Sequence, residues 1–399
     1  MIRNILFIIL SVFIIEVNAQ TITNYTTVDG LMSDFVECIA VDIYDNIWFG
    51  TSLGVQMYDG VNWTSYNSAN FGLSTNSIKV LKATSNGDVY VGTDFGASKF
   101  DGSSWIAFNT NSQIKSIDEG FSGDVWLGTN QGVQHFDGAV STYYSAPDLH
   151  WSGVNGTAID SNGDKWFSSP LGGITHFDGV NFTTYDTSDG LLSIYTTDII
   201  VDNQDRKWVG TASGMSVLNS SNTSFTQYTM MYLMPPPDTL NPVVDIAIDS
   251  WGRIWTSIYV GYLAEGGVAY WNGSVWSDFH ISDGLAGQNV KGLAIDSENN
   301  VWVATTNGVS RISALPSAVN AVENIMFSIF PNPTSDLIYL NNNGEYINEV
   351  KIYDQSGSLV YQAHSFDANY IDFSCFAKGM YCIDIQLTKT NICKKIIVN

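Results

Sequence analysis

The sequence predicts an all-β protein, and two observations support that prediction. The first is a recurring pattern: a large aromatic residue, a short apolar stretch, Gly-Thr, a turn, and then an aromatic residue followed by Asp-Gly. Copies recur every 36 to 47 residues, and their leading aromatics are Trp48, Tyr90, Trp126, Trp166, Trp208, Trp255 and Trp302. The second is composition, with 13% aromatic residues, 14% charged residues and 35 glycines. A fixed period of this size in a β-rich chain indicates one supersecondary unit stacked on copies of itself.

Each copy predicts four short antiparallel strands. In the first copy these are Val36 to Asp42, Ile47 to Thr51, Val55 to Tyr58, and Trp63 to Tyr66. Alternating β-branched and aromatic residues bounded by Gly, Asn and Asp turns are typical of hairpins. Seven such units at this spacing predict a seven-bladed β-propeller.

The N-terminal strand is predicted to close the ring. The seventh copy has three strands, from Val290 to Ile312, but no fourth strand follows them. Ile22 to Tyr25, before the first copy, aligns with the fourth strand Trp63 to Tyr66. Pairing this strand with the last blade would remove two unpaired sheet edges.

The N-terminus predicts a signal peptide over residues 1–19. Arg3 precedes an apolar run from Ile5 to Ile15, and Val17-Asn18-Ala19 offers a cleavage site. The run is too short to span a bilayer but suits a secretory leader. We therefore expect a propeller over residues 20–312, a linker over 313–324 and a C-terminal domain over 325–399. The mature protein is expected to be secreted or attached to the outer cell surface, with no membrane span.

Charge and motifs argue against several functions. The net charge of −23, from 39 acidic and 16 basic residues, disfavours nucleic acid and anionic membrane surfaces. No catalytic, phosphate-binding or cofactor motif is recognised, so no enzyme activity and no cofactor are predicted. Only three arginines lie in the propeller, which argues against an enzyme acting on acidic sugars; they are Arg206, Arg253 and Arg311.

No metal site is predicted either. His135 and His176 occupy equivalent positions in successive copies, but the other copies hold unrelated residues there. The segment from Asp160 to Asp164 is similar to the start of a calcium loop, yet it coincides with a turn that every copy has and lacks a distal glutamate.

The repeats resemble the two-component-regulator propeller repeat over residues 22–312. The resemblance rests on the Asp-Ser-Asn-Gly-Asp-Lys-Trp segment at 160–166, on residues 202–211, and on Asp-Gly-Leu connectors at 29–31, 189–191 and 283–285. It implies a propeller fold and glycan-related recognition. A signalling role is not implied, because no kinase or DNA-binding segment follows.

The C-terminal region resembles the type A sorting domain of the type IX secretion system. The matching residues are Pro331, Asn332, Pro333, Gly379, Tyr381, Lys394 and Lys395, with Val350 to Asp354 between the blocks. The resemblance implies a small β-sandwich that the outer-membrane export machinery recognises and that is commonly removed afterwards. The alternative is an ordinary sandwich that binds a ligand.

Four cysteines are present. Cys38 is expected to be a small buried hydrophobe in the first copy. Cys375, Cys382 and Cys393 lie near the C-terminus, and Cys382 with Cys393 across a hairpin is the favoured pair. Sequence alone does not determine the connectivity.

The candidate binding site lies where the repeat is interrupted. Three connections are longer than the repeat requires: 145–156, 229–243 and 257–267. They are fourth-to-first or second-to-third connections, which emerge on one face of a four-stranded meander. Their predicted ligand-binding residues are His150, Trp151, Tyr232, Met234, Tyr259, Tyr262 and Glu265. Aromatic and Met side chains on loops above a rigid scaffold are typical of binding surfaces.

The expected ligand is neutral or weakly polar, either a glycan or a protein surface. Two alternatives stay open. The loops are surface segments that have drifted without function, or the protein is a carbohydrate-active hydrolase or lyase that uses Asp148, Asp238 or Glu265.

Overall fold

A computed structural model describes most of residues 20–398. The residues outside it are 1–19, 72, 74, 109–111, 138–139, 147–148, 150, 230–241, 260–265, 314–327, 331–333, 335, 342–346, 355–357, 367–369, 388–390 and 399. At some other positions, mostly in the C-terminal strands, only the backbone is described. The chain divides into two compact units between residues 314 and 315. The predicted signal peptide lies outside the described residues.

The first unit contains seven four-stranded antiparallel sheets, which are the blades. Blades one and two comprise β2 (Val36–Val41), β3 (Ile47–Thr51), β4 (Val55–Tyr58), β5 (Trp63–Tyr66), β6 (Ile78–Ala83), β7 (Val89–Thr93), β8 (Gly96–Phe100) and β9 (Trp105–Phe108). Blades three and four comprise β10 (Ile114–Glu119), β11 (Val125–Thr129), β12 (Gly132–Phe136), β13 (Ser141–Tyr144), β14 (Gly156–Ile159), β15 (Lys165–Ser169), β16 (Gly173–Phe177) and β17 (Phe182–Tyr185).

Blades five and six comprise β18 (Thr196–Val201), β19 (Lys207–Thr211), β20 (Gly214–Leu218), β21 (Phe225–Tyr228), β22 (Val243–Ile248), β23 (Ile254–Ile258), β24 (Gly267–Trp271) and β25 (Trp276–Phe279). Blade seven comprises β26 (Val290–Ile295), β27 (Val301–Thr305), β28 (Gly308–Ile312) and β1 (Ile22–Tyr25). A single helical turn, α1 (Ser68–Phe71), and two 3-10 turns (Thr27–Asp29 and Ile281–Asp283) lie in the connections. The predicted seven-bladed propeller is confirmed.

The ring is closed by the N-terminal strand, as predicted. β1 pairs antiparallel with β28, with Ile22 opposite Ile312 and Tyr25 opposite Val309. The Tyr25 ring stacks on Trp302 with centroids 5.4 Å apart. Ser313 donates its backbone N–H to the Thr21 carbonyl at 2.8 Å. The last blade is therefore built from both ends of the propeller segment.

The Gly-Thr pair of the repeat has two separate structural roles. A Cβ on Gly50 would lie 2.7 Å from Ile78 of the next blade, and one on Gly92 would lie 2.7 Å from Ile114. Glycine therefore permits the close approach of successive blades. The threonine hydroxyl donates to the glycine carbonyl of the following turn at 2.8 to 3.0 Å in five blades.

In five blades, an aspartate six residues before the buried tryptophan accepts a hydrogen bond from the indole N–H. This contact measures 2.8 to 3.0 Å in the five pairs Asp42–Trp48, Asp160–Trp166, Asp202–Trp208, Asp249–Trp255 and Asp296–Trp302. These indoles are at most 4% exposed. A buried donor without an acceptor is costly, so the aspartate completes the packing of the ring.

The first-to-second-strand turns also join neighbouring blades. Asp45, Asp205 and Asn299 adopt positive φ at a position where other blades have glycine. Asp45 accepts the backbone N–H of Ser297 at 2.9 Å, and Asp205 accepts that of Ser161 at 3.0 Å. Asn299 accepts the backbone N–H of Ser250 at 2.8 Å. These side chains connect each turn to its neighbour.

The second unit is a pair of β-sheets around one apolar core. One sheet contains β29 (Ser328–Phe330), β30 (Leu337–Asn341) and β33 (Tyr370–Asp372). The other contains β31 (Ile347–Asp354), β32 (Leu359–Phe366), β34 (Gly379–Leu387) and β35 (Asn391–Val398). Both sheets contribute to the core, for example Ile338 and Ile371 from the first and Val350 and Ile383 from the second.

Candidate functional site

The antiparallel order of the blades gives the propeller two faces of different character. Fourth-to-first and second-to-third connections emerge on one face, which we call the loop face. First-to-second and third-to-fourth turns emerge on the other, which we call the turn face. All three interrupted connections belong to the loop face, since they join β13 to β14, β21 to β22, and β23 to β24.

The connection before blade four presents Trp151 to solvent from an anchored loop. Leu149 and Val154 flank it and are 2% and 1% exposed, in one core cluster with Trp126 and Phe167. Val154 donates its N–H to the Thr129 carbonyl at 2.8 Å. Trp151 itself is 42% exposed. An exposed indole held between two buried anchors is available for contact with another molecule.

Tyr259 lies where blade six meets the mouth of the central channel. Its N–H donates to the Pro242 carbonyl at 3.2 Å. The Lys291 ammonium lies 5.1 Å from the Tyr259 ring centroid and 5.6 Å from that of Phe35. A cation at this distance from aromatic faces is attracted by their quadrupoles. Tyr259 therefore belongs to the channel mouth as well as to the loop face.

The other predicted binding residues lie outside the described residues. They are His150, Tyr232, Met234, Tyr262 and Glu265, and the same holds for the alternative acidic residues Asp148 and Asp238. Trp151 and Tyr259 are thus the two whose surroundings can be stated. Their described contacts are separate, because one lies before blade four and the other in blade six.

The central channel is lined by the first strands of all seven blades and encloses about 890 Å³. At the loop-face end, each first strand contributes the side chain at its second position to a ring around the channel mouth. In blade four the equivalent residue lies just before β14. The ring comprises Glu37, Lys79, Lys115, Asn155, Thr197, Val244 and Lys291. Cavities of this size are typical of small-molecule sites.

Three lysines of this ring have no close ionic partner among the described residues. The shortest approach of Lys79 to a carboxylate is 3.9 Å, to Asp94, and that of Lys291 is also 3.9 Å, to Glu37. Lys115 donates to the neutral amide oxygen of Asn155 at 3.0 Å. Burial lowers the pKa of Lys115. These residues form a mainly cationic arc on blades seven, two and three, with the Glu37 carboxylate of blade one between Lys291 and Lys79.

Two carboxyl groups line the opposite part of the channel. Asp198 accepts the Ile246 N–H at 3.0 Å, and Asp245 accepts the Leu293 N–H at 2.6 Å, so each joins the first strands of adjacent blades. Burial raises the pKa of Asp245 to about 6. Burial and then the Asp245 charge raise the pKa of Asp198 well above its usual value. Burial therefore disfavours the ionised form of both carboxyl groups, and the two titrate as a coupled pair.

These channel residues are not among those predicted from the sequence. Arginine alone was considered as a partner for acidic ligands, and lysine was omitted. The available indication was the strand alignment itself, where lysine recurs at the second position in three copies. Cys38, expected to be buried, is 9% exposed beside this ring.

One described cluster has the composition of a metal site. Ligand atoms of Asp160, Asp164 and His176 lie within 4.8 Å of one another. However, the Asp160 carboxylate already contacts the Lys207 ammonium at 3.2 Å and the Trp166 indole at 3.0 Å. His176 contacts Asp164 at 2.9 Å. The Lys207 ammonium occupies the place that a metal ion would take beside Asp160. The packing of the blades therefore explains why these three side chains lie together.

The predicted sorting residues are only partly described. Gly379 and Tyr381 lie on β34, and the Tyr381 hydroxyl donates to the Ala377 carbonyl at 2.8 Å. Lys394 and Lys395 lie on β35, where only their backbone is described, and Pro331, Asn332 and Pro333 fall outside the described residues.

The cysteine pairing stays a prediction. β34 and β35 form the expected hairpin, with Cys382 opposite Lys395 and Cys393 opposite Asp384. The two cysteines are therefore diagonal neighbours and not directly opposed. Their side chains are not described, and Cys375 is free and exposed.

The fold and the two sequence regions define a class of protein: a seven-bladed β-propeller followed by a sorting domain. Residues 284–307 match the family model described as two component regulator propeller. Residues 328–399 match the one described as secretion system C-terminal sorting domain. The chain thus carries a two-component-regulator propeller repeat and a type IX C-terminal sorting domain, which indicates secretion and surface attachment. No described helix is long and apolar enough to cross a membrane.

Solved structures share the propeller fold at low identity. One is the extracellular domain of a protein described as a hybrid two component system, BT3049 of B. thetaiotaomicron, with 15% identity, a TM-score of 0.64, and coverage of 95% of this chain and 58% of that one. Another is PorZ, a surface component of the type IX secretion system of Porphyromonas gingivalis, with 18% identity, a TM-score of 0.57, and coverage of 92% and 60%. The chain thus spans about six tenths of the length of these two proteins.

Virginiamycin B lyase from Staphylococcus aureus is a third, with 14% identity, a TM-score of 0.60, and coverage of 74% of this chain and all of that one. At these identities the likeness establishes the fold alone. A search of curated proteins finds no match.

Proposed function

We propose that this protein is a non-enzymatic, secreted or surface-attached propeller that binds a glycan or protein ligand on its loop face. The observation that carries the proposal is Trp151, 42% exposed on a loop held by two buried anchors. A flexible surface loop without function would have no need of such anchoring. Exposed aromatic side chains on a rigid scaffold are the common basis of hot spots in recognition.

Export supports the same proposal. The signal peptide over residues 1–19 and the sorting domain over 325–399 would deliver the propeller through the outer-membrane type IX machinery, with cleavage after Ala19. The domain bounds, including the linker over 313–324, are part of the proposal. A signal-peptide or sorting-domain variant that still reaches the medium would contradict this route.

The experiment compares matched aromatic substitutions on the two faces. The mature chain and the variant W151A/Y259A are applied to a glycan array and, in cells, a photo-crosslinking residue replaces Ser152, the exposed neighbour of Trp151. We expect W151A/Y259A to lose binding with a nearly unchanged Tm, since neither ring belongs to a core cluster. The control is F121A, which removes a 75% exposed aromatic from the turn face. Binding retained by W151A/Y259A, or lost equally in F121A, would refute the assignment.

A carbohydrate-active hydrolase or lyase is the competing function. Its proposed acidic residues are Asp148, Asp238 and Glu265. Incubating each bound glycan with the protein and measuring released products separates the two functions, because a binding protein leaves its ligand intact.

A further inference from the structure

The distribution of positive charge in the propeller is uneven in a specific way. Ten basic side chains lie in residues 20–312. Six of them have a carboxylate oxygen within 3.3 Å, namely Lys82, Lys99, Arg206, Lys207, Arg253 and Arg311. Lys165 lies over the Trp126 ring at 5.1 Å. The remaining three are Lys79, Lys115 and Lys291, and all of them line one end of the same channel.

This arrangement is unfavourable as it stands. Three ammonium groups around one half-buried cavity repel one another, and no described carboxylate forms a close ion pair with them. The chain has 39 acidic residues, so carboxylates for pairing are abundant elsewhere. The Glu37 carboxylate belongs to the same ring, but at 3.9 Å from Lys291 it is a weak partner and leaves the ring with a net positive charge. Excess cations with only weak ion pairs at one cavity mouth are the arrangement expected of a site whose counter-ion comes from a ligand.

From this geometry we infer that the channel mouth binds the oxyanionic group of a ligand, a carboxylate, sulfate or phosphate, through Lys79, Lys115 and Lys291. Ammonium groups form short, charge-assisted hydrogen bonds to such oxygens. This inference rests on the proposed function, because the mouth opens on the loop face beside Tyr259. It changes the expected ligand from neutral or weakly polar to one with an anionic group.

The rest of the ring fits this ligand. Blades four to six contribute no further cation at the equivalent positions, which hold Asn155, Thr197 and Val244. The aromatic rings of Phe35 and Tyr259 flank Lys291 and offer apolar surface beside the charge. The ligand would therefore present its anionic group to the arc and an uncharged part to the remainder of the mouth.

The first test uses inorganic sulfate as the probe. The mature chain, labelled at lysine, is titrated with sodium sulfate and with sodium chloride at equal ionic strength, and the lysine side-chain NMR signals are followed. We expect saturable sulfate-specific shifts at Lys79, Lys115 and Lys291 but not at Lys165. The pKa of Lys115 should rise on saturation, because the anion compensates its burial. Shifts that do not saturate, or that equal those at Lys165, would overturn the inference.

Matched variants test the shared site. In K115Q the sulfate concentration that half-saturates the Lys291 shift should rise about tenfold, the effect of losing one charge-assisted hydrogen bond. In K165Q it should stay the same. Equal effects of K115Q and K165Q would indicate general charge screening and refute the site. The Tm of K79Q/K115Q/K291Q should change little, because the ion pairs of Lys79 and Lys291 are long, at 3.9 Å, and because the substitutions remove the mutual repulsion of the three ammonium groups.

The outcome is distinguishable from failure of the proposed function. If a ligand is found whose binding W151A/Y259A abolishes but K79Q/K115Q/K291Q and added salt leave unchanged, the loop-face proposal stands and the oxyanion inference is wrong. If sulfate binds the lysine ring but W151A/Y259A retains all ligand binding, the inference stands and the loop-face assignment is wrong.

Discussion

At the turn face, Arg206 donates to the Asp202 carboxylate of its own hairpin at 2.6 Å, whereas at the loop face Lys79 and Lys291 lie 3.9 Å from their carboxylates. Asp202 also accepts the indole N–H of the buried Trp208, so the Arg206–Asp202 ion pair is part of the packing of the blade. The loop-face cations contribute little to packing. The difference separates the residues that maintain the ring from those available to a ligand.

Removing the closing strand should cause the largest loss of stability, because both faces depend on a closed ring. Deleting residues 21–27 leaves β28 unpaired and exposes Trp302, which Tyr25 covers. We expect a loss of at least about 3 kcal/mol of unfolding free energy, measured by urea denaturation. The control T23A keeps the strand and alters one exposed side chain. A deletion variant that melts like the intact protein would refute closure by β1.

Removing one turn-face aspartate should cause the next largest loss of stability. The substitution D202A removes the acceptor of the buried Trp208 indole and the partner of Arg206. We expect a loss of about 1–3 kcal/mol, mainly from the buried indole N–H that is left without an acceptor, since Arg206 is partly exposed to solvent. The control D101A removes an exposed turn aspartate that accepts only from Ser103 and Ser104. If both substitutions lower the Tm equally, the indole contact is not what distinguishes this face.

The smallest effect is expected inside the channel, and it depends on pH. A raised pKa means that Asp245 stabilises the fold when protonated, below its unfolded pKa, and that this contribution is lost as pH rises through about 6. The substitution D245N keeps an acceptor for the Leu293 N–H but cannot ionise. The variant should therefore gain stability relative to wild type between pH 5 and pH 8, on the order of 1 kcal/mol. A difference that is constant with pH would contradict the raised pKa.

The fold was largely predictable, because it depends on residues that repeat. The tryptophans, the Gly-Thr pairs and the Asp-Gly turns recur in most blades, where each has the same packing role, and their spacing indicates seven blades and a missing strand. The role of Asp42 and its equivalents was not foreseen, since a turn aspartate gives no indication that it also accepts from an indole six residues later.

The candidate site was predictable only in part. The interrupted connections placed Trp151 and Tyr259 on the loop face. In a four-stranded meander, the strands that a connection joins determine the face on which it lies. Lys79, Lys115 and Lys291 were overlooked, since a lysine within a β-strand pattern resembles any solvent-facing residue. What makes them neighbours is the ring itself, which brings together residues as far apart in sequence as Lys79 and Lys291.

Closure by the N-terminal strand also determines how many blades the ring can hold. Gln20 and Ser313 are hydrogen-bonded across 293 positions of sequence, and Ile22 meets Ile312 in the seventh sheet only when six complete sheets lie between them in the chain. A ring that closed one blade early would leave β1 without its partner strand and the surplus strands without a place. Pairing of this single terminal strand with β28 therefore distinguishes the complete seven-bladed ring from a ring with fewer blades.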